Sequence, residues 1–195
     1  VELQNKYEIR VRHFGLINWI GFKSLWLKEC NRFLAVWQQT LLSPLVSSLL
    51  FLSVLTLALG SEKGEVLGYP FISFLAPGLI AMSILTQSFS HSVSSLMIAK
   101  IQGNIVDMLY APLSALEVSM AIILAATTRS LLIAIISILV FSIIIELHIY
   151  SIVFIFIFSF LGSFILGALG FITGLWAEKF DHTATVTNFV ITPLS

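Results

Sequence analysis

The chain has 195 residues, of which 58% are hydrophobic and only 10% are charged, whereas soluble domains carry about 25% charged residues. Its formal net charge is zero, so nothing in the charge favours a nucleic-acid partner. The single cysteine excludes a disulfide framework and a cysteine-based metal cluster. Because we find no phosphate-binding loop and no metalloprotease motif, we predict no catalytic residue, no metal site and no cofactor bound by this chain.

Residues 1–15 predict a charged cytoplasmic tail. This segment contains Lys6, Arg10 and Arg12 and lacks the apolar run of a signal peptide. The chain begins with Val1 and stops at Ser195 within an apolar helical pattern. We therefore expect it to be a fragment of a longer protein.

Residues 16–38 predict an amphipathic helix that lies in the headgroup region of the membrane. One face of this helix carries residues spaced three or four positions apart, namely Trp19, Phe22, Trp26, Cys30, Phe33 and Trp37. The charged and polar residues fall elsewhere on the helical wheel, and they are Lys28, Glu29, Asn31 and Arg32. An aromatic face opposite a charged face is typical of an interfacial helix. Packing on a soluble neighbour is the alternative.

Long apolar stretches predict helices that cross the bilayer, because about 20 apolar residues span roughly 30 Å of hydrocarbon. The predicted spans are residues 40–60, 71–99, 118–145 and 151–176, with the start of a fifth span at residues 186–195. Pro77 and Gly78 should kink the second span or divide off a short lead-in segment. Gly170 and Gly174 permit close helix contact in the fourth.

One face of the second span is polar. Residues at helical spacing make up this stripe, and they are Ser83, Thr86, Gln87, Ser90, His91, Ser94 and Ser95. Lipid does not tolerate such a face, so it should point into a helix bundle or a watery path. Interhelical hydrogen bonding and contact with a transported compound remain the two alternatives. In the second case the path would be lined by Ser83, Gln87, His91, Ser94 and Ser95.

Residues 100–117 are the longest moderately polar segment between the apolar stretches. They predict a short helix that Pro112 prevents from continuing. That helix comprises Asn104, Ile105, Asp107, Met108, Leu109 and Tyr110, together with Val106. Ile105, Met108 and Leu109 should share one face. Ser114 and Glu117 have the spacing of a capping box for the next helix.

Arg129 is a charged residue inside the third predicted span. This span is about 42 Å long at about 1.5 Å per residue, which is more than the bilayer needs. If the excess lies at the Ser114 end, Arg129 lies a turn or so below the hydrocarbon edge, where its side chain can snorkel. A buried and paired Arg129 is the alternative.

The distribution of basic residues predicts the orientation in the membrane, since cytoplasmic segments are enriched in Lys and Arg. Those before the first span are Lys6, Arg10, Arg12, Lys23, Lys28 and Arg32. Lys100 and Lys179 lie in loops on the same side, and Lys63 lies opposite. The N-terminus and the loops at residues 100–117 and 178–182 are therefore predicted to be cytoplasmic.

Several short motifs follow one another in a particular order between about residue 25 and Ser195. They are Lys28-Glu29-x-x-Arg32 before Trp37-x-Gln39, Pro77-Gly78-Leu79, Asn104-Ile-Val-Asp107-Met-Leu-Tyr-Ala-Pro112, Arg129, Gly174-Leu-Trp-Ala-x-x-Phe180-Asp181 and Asn188-Phe-Val-Ile-Thr-Pro193-Leu194. In this order and spacing the chain resembles the membrane subunit of type 2 ABC exporters, the permease family of polysaccharide, drug and lipid export.

The resemblance implies an all-α polytopic transmembrane helix bundle with an N-terminal interfacial helix. It implies that residues 16–195 are the transmembrane domain of a six-span permease of which this chain is a fragment. Residues 16–38 would be the connecting helix of that family. The helix Asn104–Tyr110 would be its coupling helix, which docks on a separate ATP-binding subunit.

The resemblance also implies the function and the partners. ATP and Mg would be bound by the partner subunit, and two permease copies, identical or different, would assemble in the bacterial inner membrane among its lipids. The complex would export a glycan, a lipid-linked compound or an amphipathic drug-like compound, and the chain itself would not be an enzyme. A passive channel or a non-transporting membrane scaffold is the alternative.

Overall fold

The computed structural model describes residues 17–59, 65–66, 69–145 and 150–194. The predicted tail at residues 1–15, with Lys6, Arg10 and Arg12, lies outside the described residues, and so do Lys63 and Ser195. Within the described residues the structure is almost entirely helical. A two-residue antiparallel pairing of β1 (Glu65–Val66) with β2 (Tyr69–Pro70) is the exception. The predicted fold class, an all-α polytopic bundle, is confirmed.

The helices follow one another along the chain with short connections. They are α1 (Trp19–Ala35), α2 (Ser43–Leu59), α3 (Phe71–Ile101), α4 (Ile105–Tyr110), α5 (Ala115–Ile144), α6 (Ile152–Trp176), α7 (Phe180–Val186) and α8 (Thr192–Leu194). Four stretches are long and apolar enough to cross a membrane, namely Gln38–Ala58, Phe71–Ile101, Ala115–Ile144 and Ile152–Trp176. Their bounds lie close to those predicted from the sequence.

Two π-helical segments interrupt this pattern, and each lies just before a proline. Gln38–Leu42 precedes Pro44, and Thr187–Ile191 precedes Pro193. Proline has no N–H to donate, and its ring clashes with the carbonyl group four residues earlier. A locally wider helix accommodates that clash.

Two expectations differ from the structure. Of the two alternatives for Pro77 and Gly78, a kink or a separate lead-in segment, the separate segment is wrong, because α3 runs without interruption from Phe71 to Ile101. Pro77 lies in the second turn of α3, so the hydrogen bond that it removes falls near the helix end. The polar segment at residues 178–182, predicted as a loop, already contains the start of α7, whose first turn carries Asp181. An acidic side chain at that position interacts favourably with the helix dipole.

The bundle is organised around α3, which packs most extensively against α6 and α5 and also contacts α2. One core cluster joins α2, α3 and α5, and it includes Leu45, Leu52, Ile80 and Phe141. A second joins α3 and α6 through residues that include Phe89, Val93, Met97 and Leu166. α1 does not lie apart from the bundle, because Cys30 and Phe33 pack with Ala125 of α5.

Small residues bring α6 close to α3. A Cβ atom on Gly170 would lie 2.5 Å from the carbonyl oxygen of Phe89, and one on Gly174 would lie 3.1 Å from the Cβ of Leu96. The two glycines that the sequence singled out therefore face α3 at its closest approach to α6.

Replacing Gly170 by Ala should destabilise the bundle, because the new methyl group would collide with the backbone of Phe89. Overpacking of this kind costs about 1–3 kcal/mol. The matched control is Gly78→Ala, since nothing lies within 4 Å of a Cβ there and Ala favours a helix over Gly by about 1 kcal/mol. Thermal unfolding in detergent compares the two variants, and equal stability would contradict the close contact.

Candidate functional site

The short helix α4 lies outside the bundle of long helices. Gly103, with a φ of 76°, ends α3 in a left-handed conformation that glycine adopts readily. No residue of α4 is buried, and Leu109 and Tyr110 are 78% and 85% exposed. Two apolar side chains of α4 thus face outward, and nothing in the described part of the chain covers them.

The predicted apolar face of α4 is only partly correct. Ile105 and Met108 are half-buried against the rest of the protein, whereas Leu109 is exposed, as are Val106 and Tyr110. The outward side of α4 is therefore formed by Leu109 and Tyr110 with Val106. The helical spacing of apolar residues cannot distinguish the inward side of α4 from its outward side, because both sides are apolar.

A set of hydrogen bonds holds the connection after α4 to the start of α1. Glu117 accepts hydrogen bonds from the backbone N–H groups of Asn18 and Ser114, and its own N–H donates to the Ser114 hydroxyl at 3.3 Å. The Asn18 side chain donates to the Pro112 carbonyl at 3.0 Å and accepts from the N–H of Gly21 at 3.0 Å. We call these contacts the Glu117 clamp. It contains the predicted capping box and joins α1 to α5 across 99 positions of sequence.

A cavity of about 300 Å³ lies beside the clamp, between α1 and the α4 segment. Lys28 and Asp107 both line it, so groups of opposite charge face the same space. Leu113 packs so tightly on α1 that a Cβ on Gly21 would lie 2.7 Å from its side chain. The position of α4 relative to α1 is therefore fixed by packing as well as by hydrogen bonds.

Lys100 fixes the other side of α4. Its Nζ donates to the carbonyl oxygens of Leu175 at 2.6 Å and Ala177 at 2.8 Å, at the C-terminal end of α6. The last carbonyls of a helix lack intrahelical donors, and a lysine is a favourable partner for them. The end of α3 is thus tied to α6 immediately before α4 begins.

A second group of polar side chains lies buried among α1, α3 and α5. We call it the polar cluster, and it consists of Glu29 and Arg32 of α1, Gln87, His91 and Ser95 of α3, and Arg129 of α5. Ser95 donates to Glu29 at 2.8 Å, and Arg32 pairs with the same carboxylate oxygen at 2.8 Å. Arg129 lies 2.6 Å from the amide oxygen of Gln87 and 3.4 Å from Nδ1 of His91. Side chains from three helices are therefore held together.

The residues predicted to line a translocation path make different kinds of hydrogen bond. His91, Ser95 and Gln87 belong to the polar cluster, while the Ser83 hydroxyl lies 2.8 Å from that of Ser48 in α2. Ser94 donates to the carbonyl of His91 within its own helix. These contacts fit the interhelical hydrogen-bonding alternative, and a path along this face stays a prediction.

The two charged residues at the centre of the polar cluster differ in how well the sequence placed them. Arg129 is 9% exposed and donates to the neutral amide oxygen of Gln87, so it is buried and does not snorkel, but no acidic side chain pairs with it among the described residues. The helical wheel places Glu29 away from the aromatic face of α1, with the other charged residues, but Glu29 is 3% exposed. The signal that could have found it is its position four residues from both Leu25 and Phe33, which are buried on the same face.

Comparison with known proteins decides the family. The profile of the ABC-2 type transporter family matches residues 20–195. This chain belongs to the ABC-2 type transporter family. It is 30% identical over 177 residues, or 91% of its length and 69% of theirs, to the inner membrane transport permease YadH of Escherichia coli strain K12, E. coli O157:H7 and Shigella flexneri. No solved structure gave a significant match.

Membership of the ABC-2 family gives the structure its general role. The chain is a transmembrane subunit of an ABC transporter and a multi-pass inner membrane protein, and the family works with an ATP-binding subunit. It is a transporter component and not a catalytic enzyme. The α4 segment and the polar cluster are the features of this permease that call for a functional explanation.

Replacing Ser95 by Ala should lower the stability of the permease by about 1–3 kcal/mol, since it leaves a buried carboxylate short of one donor. Ser94→Ala is the matched control, because that hydroxyl donates only within α3 and is half-buried. We expect its effect to be within about 0.5 kcal/mol. Thermal unfolding in the same detergent measures both, and a larger loss for Ser94→Ala would contradict the role of Glu29.

Proposed function

We propose that this ABC-2 permease exports a glycan, a lipid-linked compound or an amphipathic drug-like compound across the bacterial cytoplasmic membrane. ATP and Mg would be bound by a separate ATP-binding subunit that docks on α4, and a second permease copy, identical or different, would complete the transporter. The observation that carries the proposal is the exposure of Leu109 and Tyr110 on a helix outside the membrane spans.

The exposed side of α4 has the composition of a protein contact. Aromatic and apolar residues are enriched at the centre of protein interfaces, where they fill pockets on the partner. On α4 these are Leu109 and Tyr110, with the carboxylate of Asp107 one turn or less away. Such a surface is unfavourable in water, and covering it by a partner subunit removes that cost.

The two attachments of α4 would allow a force applied to α4 to be transmitted to the bundle of long helices. The Glu117 clamp connects its C-terminal side to α1 and α5, and Lys100 connects its N-terminal side to α6. When ATP draws two partner subunits together, α4 would move with them. The attached α3 and α5 would then tilt against the second permease copy and open a path between the two.

The orientation required by this mechanism is supported by the charge distribution. The basic residues at the α4 end of the described structure are Lys23, Lys28, Arg32, Lys100 and Lys179. Basic residues accumulate on the cytoplasmic side, which is where an ATP-binding subunit would find its nucleotide. We therefore propose that α4 and the N-terminus are cytoplasmic.

The proposed substrate class rests on the scarcity of charge along α3 and on an apolar cavity. The cavity has a volume of about 650 Å³ and lies between α3, α5 and α6. Its lining includes Phe74, Pro77, Ile80, Ile138, Phe154 and Phe158. A groove of this kind suits the apolar part of an amphipathic compound better than an inorganic ion.

Purification separates this proposal from a passive channel or a scaffold, which would need no ATPase. When the permease is extracted from its native membrane in mild detergent, an ATP-binding subunit should remain attached to it. A complex that contains no ATP-binding protein under conditions that preserve the permease would contradict the proposal.

Leu109→Ala and Asp107→Ala should uncouple ATP hydrolysis from transport while membrane insertion stays normal. Truncating an interface anchor costs more than about 1–2 kcal/mol, and about 1.4 kcal/mol is a tenfold change in affinity. We therefore expect transport, and the stimulation of ATP hydrolysis by the permease, to fall roughly tenfold for Leu109→Ala. Transport into membrane vesicles and ATP turnover of the reconstituted complex measure the two effects.

The control for this experiment is Leu57→Ala, which removes the same atoms from a leucine that is 85% exposed. Leu57 lies near the C-terminal end of α2, outside the α4 segment. It should leave both activities close to those of the unchanged protein. If the Leu109 and Asp107 variants transport normally with normal stimulation of ATP hydrolysis, the docking role of α4 is wrong.

A further inference from the structure

Arg129 is a buried positive charge that lacks a carboxylate partner among the residues described here. The polar cluster contains one carboxylate, that of Glu29, which lies 2.8 Å from Arg32. Nδ1 of His91 lies 3.4 Å from an Arg129 nitrogen that can only donate, so it accepts, and the proton of a neutral imidazole lies on Nε2. The described part of the cluster thus carries an excess of one positive charge.

The described hydrogen-bond acceptors of Arg129 are neutral, and they do not use all of its donors. The guanidinium group has five N–H donors. Its acceptors are the Gln87 amide oxygen at 2.6 Å, His91 Nδ1 at 3.4 Å and the Thr40 carbonyl at 3.5 Å. The Nε atom is buried and has no hydrogen-bond partner among the residues that the structure describes. A buried charge with an unsatisfied donor is costly at membrane depth unless an opposite charge is supplied.

Arg129 lies next to the seam between α2 and α3. Pro44 has no N–H to offer the Thr40 carbonyl, which leaves that oxygen available to Arg129. On the other side the guanidinium meets Gln87, which is half-buried. One turn further along α3, Ser83 meets Ser48. This polar seam is flanked by apolar side chains that face outward from the bundle, and they include Val46, Leu50 and Met82.

We propose that Arg129 binds the phosphate group of an amphipathic molecule at the seam between α2 and α3. Arginine binds phosphate through charge-assisted hydrogen bonds, and the buried Nε–H, which has no partner among the described residues, is a donor available for one. The apolar part of the ligand would lie along the outward side of α2. That the ligand is cargo rests on the proposed export function, whereas binding itself rests only on the charge and contacts of Arg129.

The test measures binding without nucleotide, so that its failure is distinguishable from failure of the export proposal. The full-length permease is purified in dodecyl maltoside, and its melting temperature is followed as dodecyl phosphate is added. A ligand at about 100 times its Kd shifts the folding equilibrium about 100-fold. We expect dodecyl phosphate to raise the melting temperature, and neither more dodecyl maltoside nor inorganic phosphate at equal concentration to do so.

Two variants identify the residue that responds. Arg129→Gln should abolish the shift, whereas Lys23→Gln, which removes an exposed charge from α1, should preserve it. Because Arg129→Gln removes a buried side chain and can impair folding, Gln87→Glu provides a second test. It places a carboxylate where an amide oxygen now lies 2.6 Å from Arg129. This variant should melt at a higher temperature without ligand and should lose the response to dodecyl phosphate.

Several results would overturn the proposal. A shift that persists in Arg129→Gln, or one that inorganic phosphate or dodecyl maltoside reproduces, would show that no amphipathic phosphate binds at Arg129. A Gln87→Glu variant that melts at a lower temperature and still responds to dodecyl phosphate would show that Arg129 already has its counter-charge, from the rest of the permease or from a second copy.

Discussion

The hydrogen bonds of the Glu117 carboxylate hold the α4 end of this permease together. They connect the first turn of α5 to the backbone of Asn18 at the start of α1, and Asn18 in turn holds Pro112. With Lys100 on the opposite side, they leave α4 little freedom to move independently of the long helices. A short helix can pass a force to a bundle only if it is attached in this way, so the proposed docking role depends on these contacts.

A second constraint comes from the bilayer, which offers no partners for polar groups. The polar face of α3 is consistent with this constraint, because its side chains meet Ser48 of α2, Glu29 of α1 and Arg129 of α5. The contact of Ser95 with Glu29 ties the proposed connecting helix α1 to α3, and the contact of Gln87 with Arg129 ties α5 to α3. The polar contacts also concentrate charge at one place, where Glu29 is matched by Arg32 and Arg129 has no acidic partner within the part of the chain that the structure describes.

The sequence predicted the features that depend on interactions between residues close together in the chain. The length of the apolar stretches gave the four long helices, and the spacing of Ser114 and Glu117 gave the capping box. Contacts between distant residues were not predictable in this way. The link from Asn18 to Glu117 spans 99 positions, and the burial of Glu29 became visible only when α1 was placed against α3 and α5. The outward side of α4 likewise depends on which of its apolar residues face the rest of the protein.

The central claim is that α4 lies on the cytoplasmic side, where an ATP-binding subunit can reach it. Cysteine labelling of intact cells tests it, with Gln102→Cys beside α4 and Tyr150→Cys at the opposite end of the bundle, both at exposed positions. The native Cys30 should react slowly, because burial and then the nearby Glu29 raise its pKa to about 11 and the thiolate is the reactive form. A membrane-impermeant maleimide should label Tyr150→Cys in intact cells and Gln102→Cys only after the membrane is permeabilised. Labelling of Gln102→Cys from outside intact cells would contradict the account.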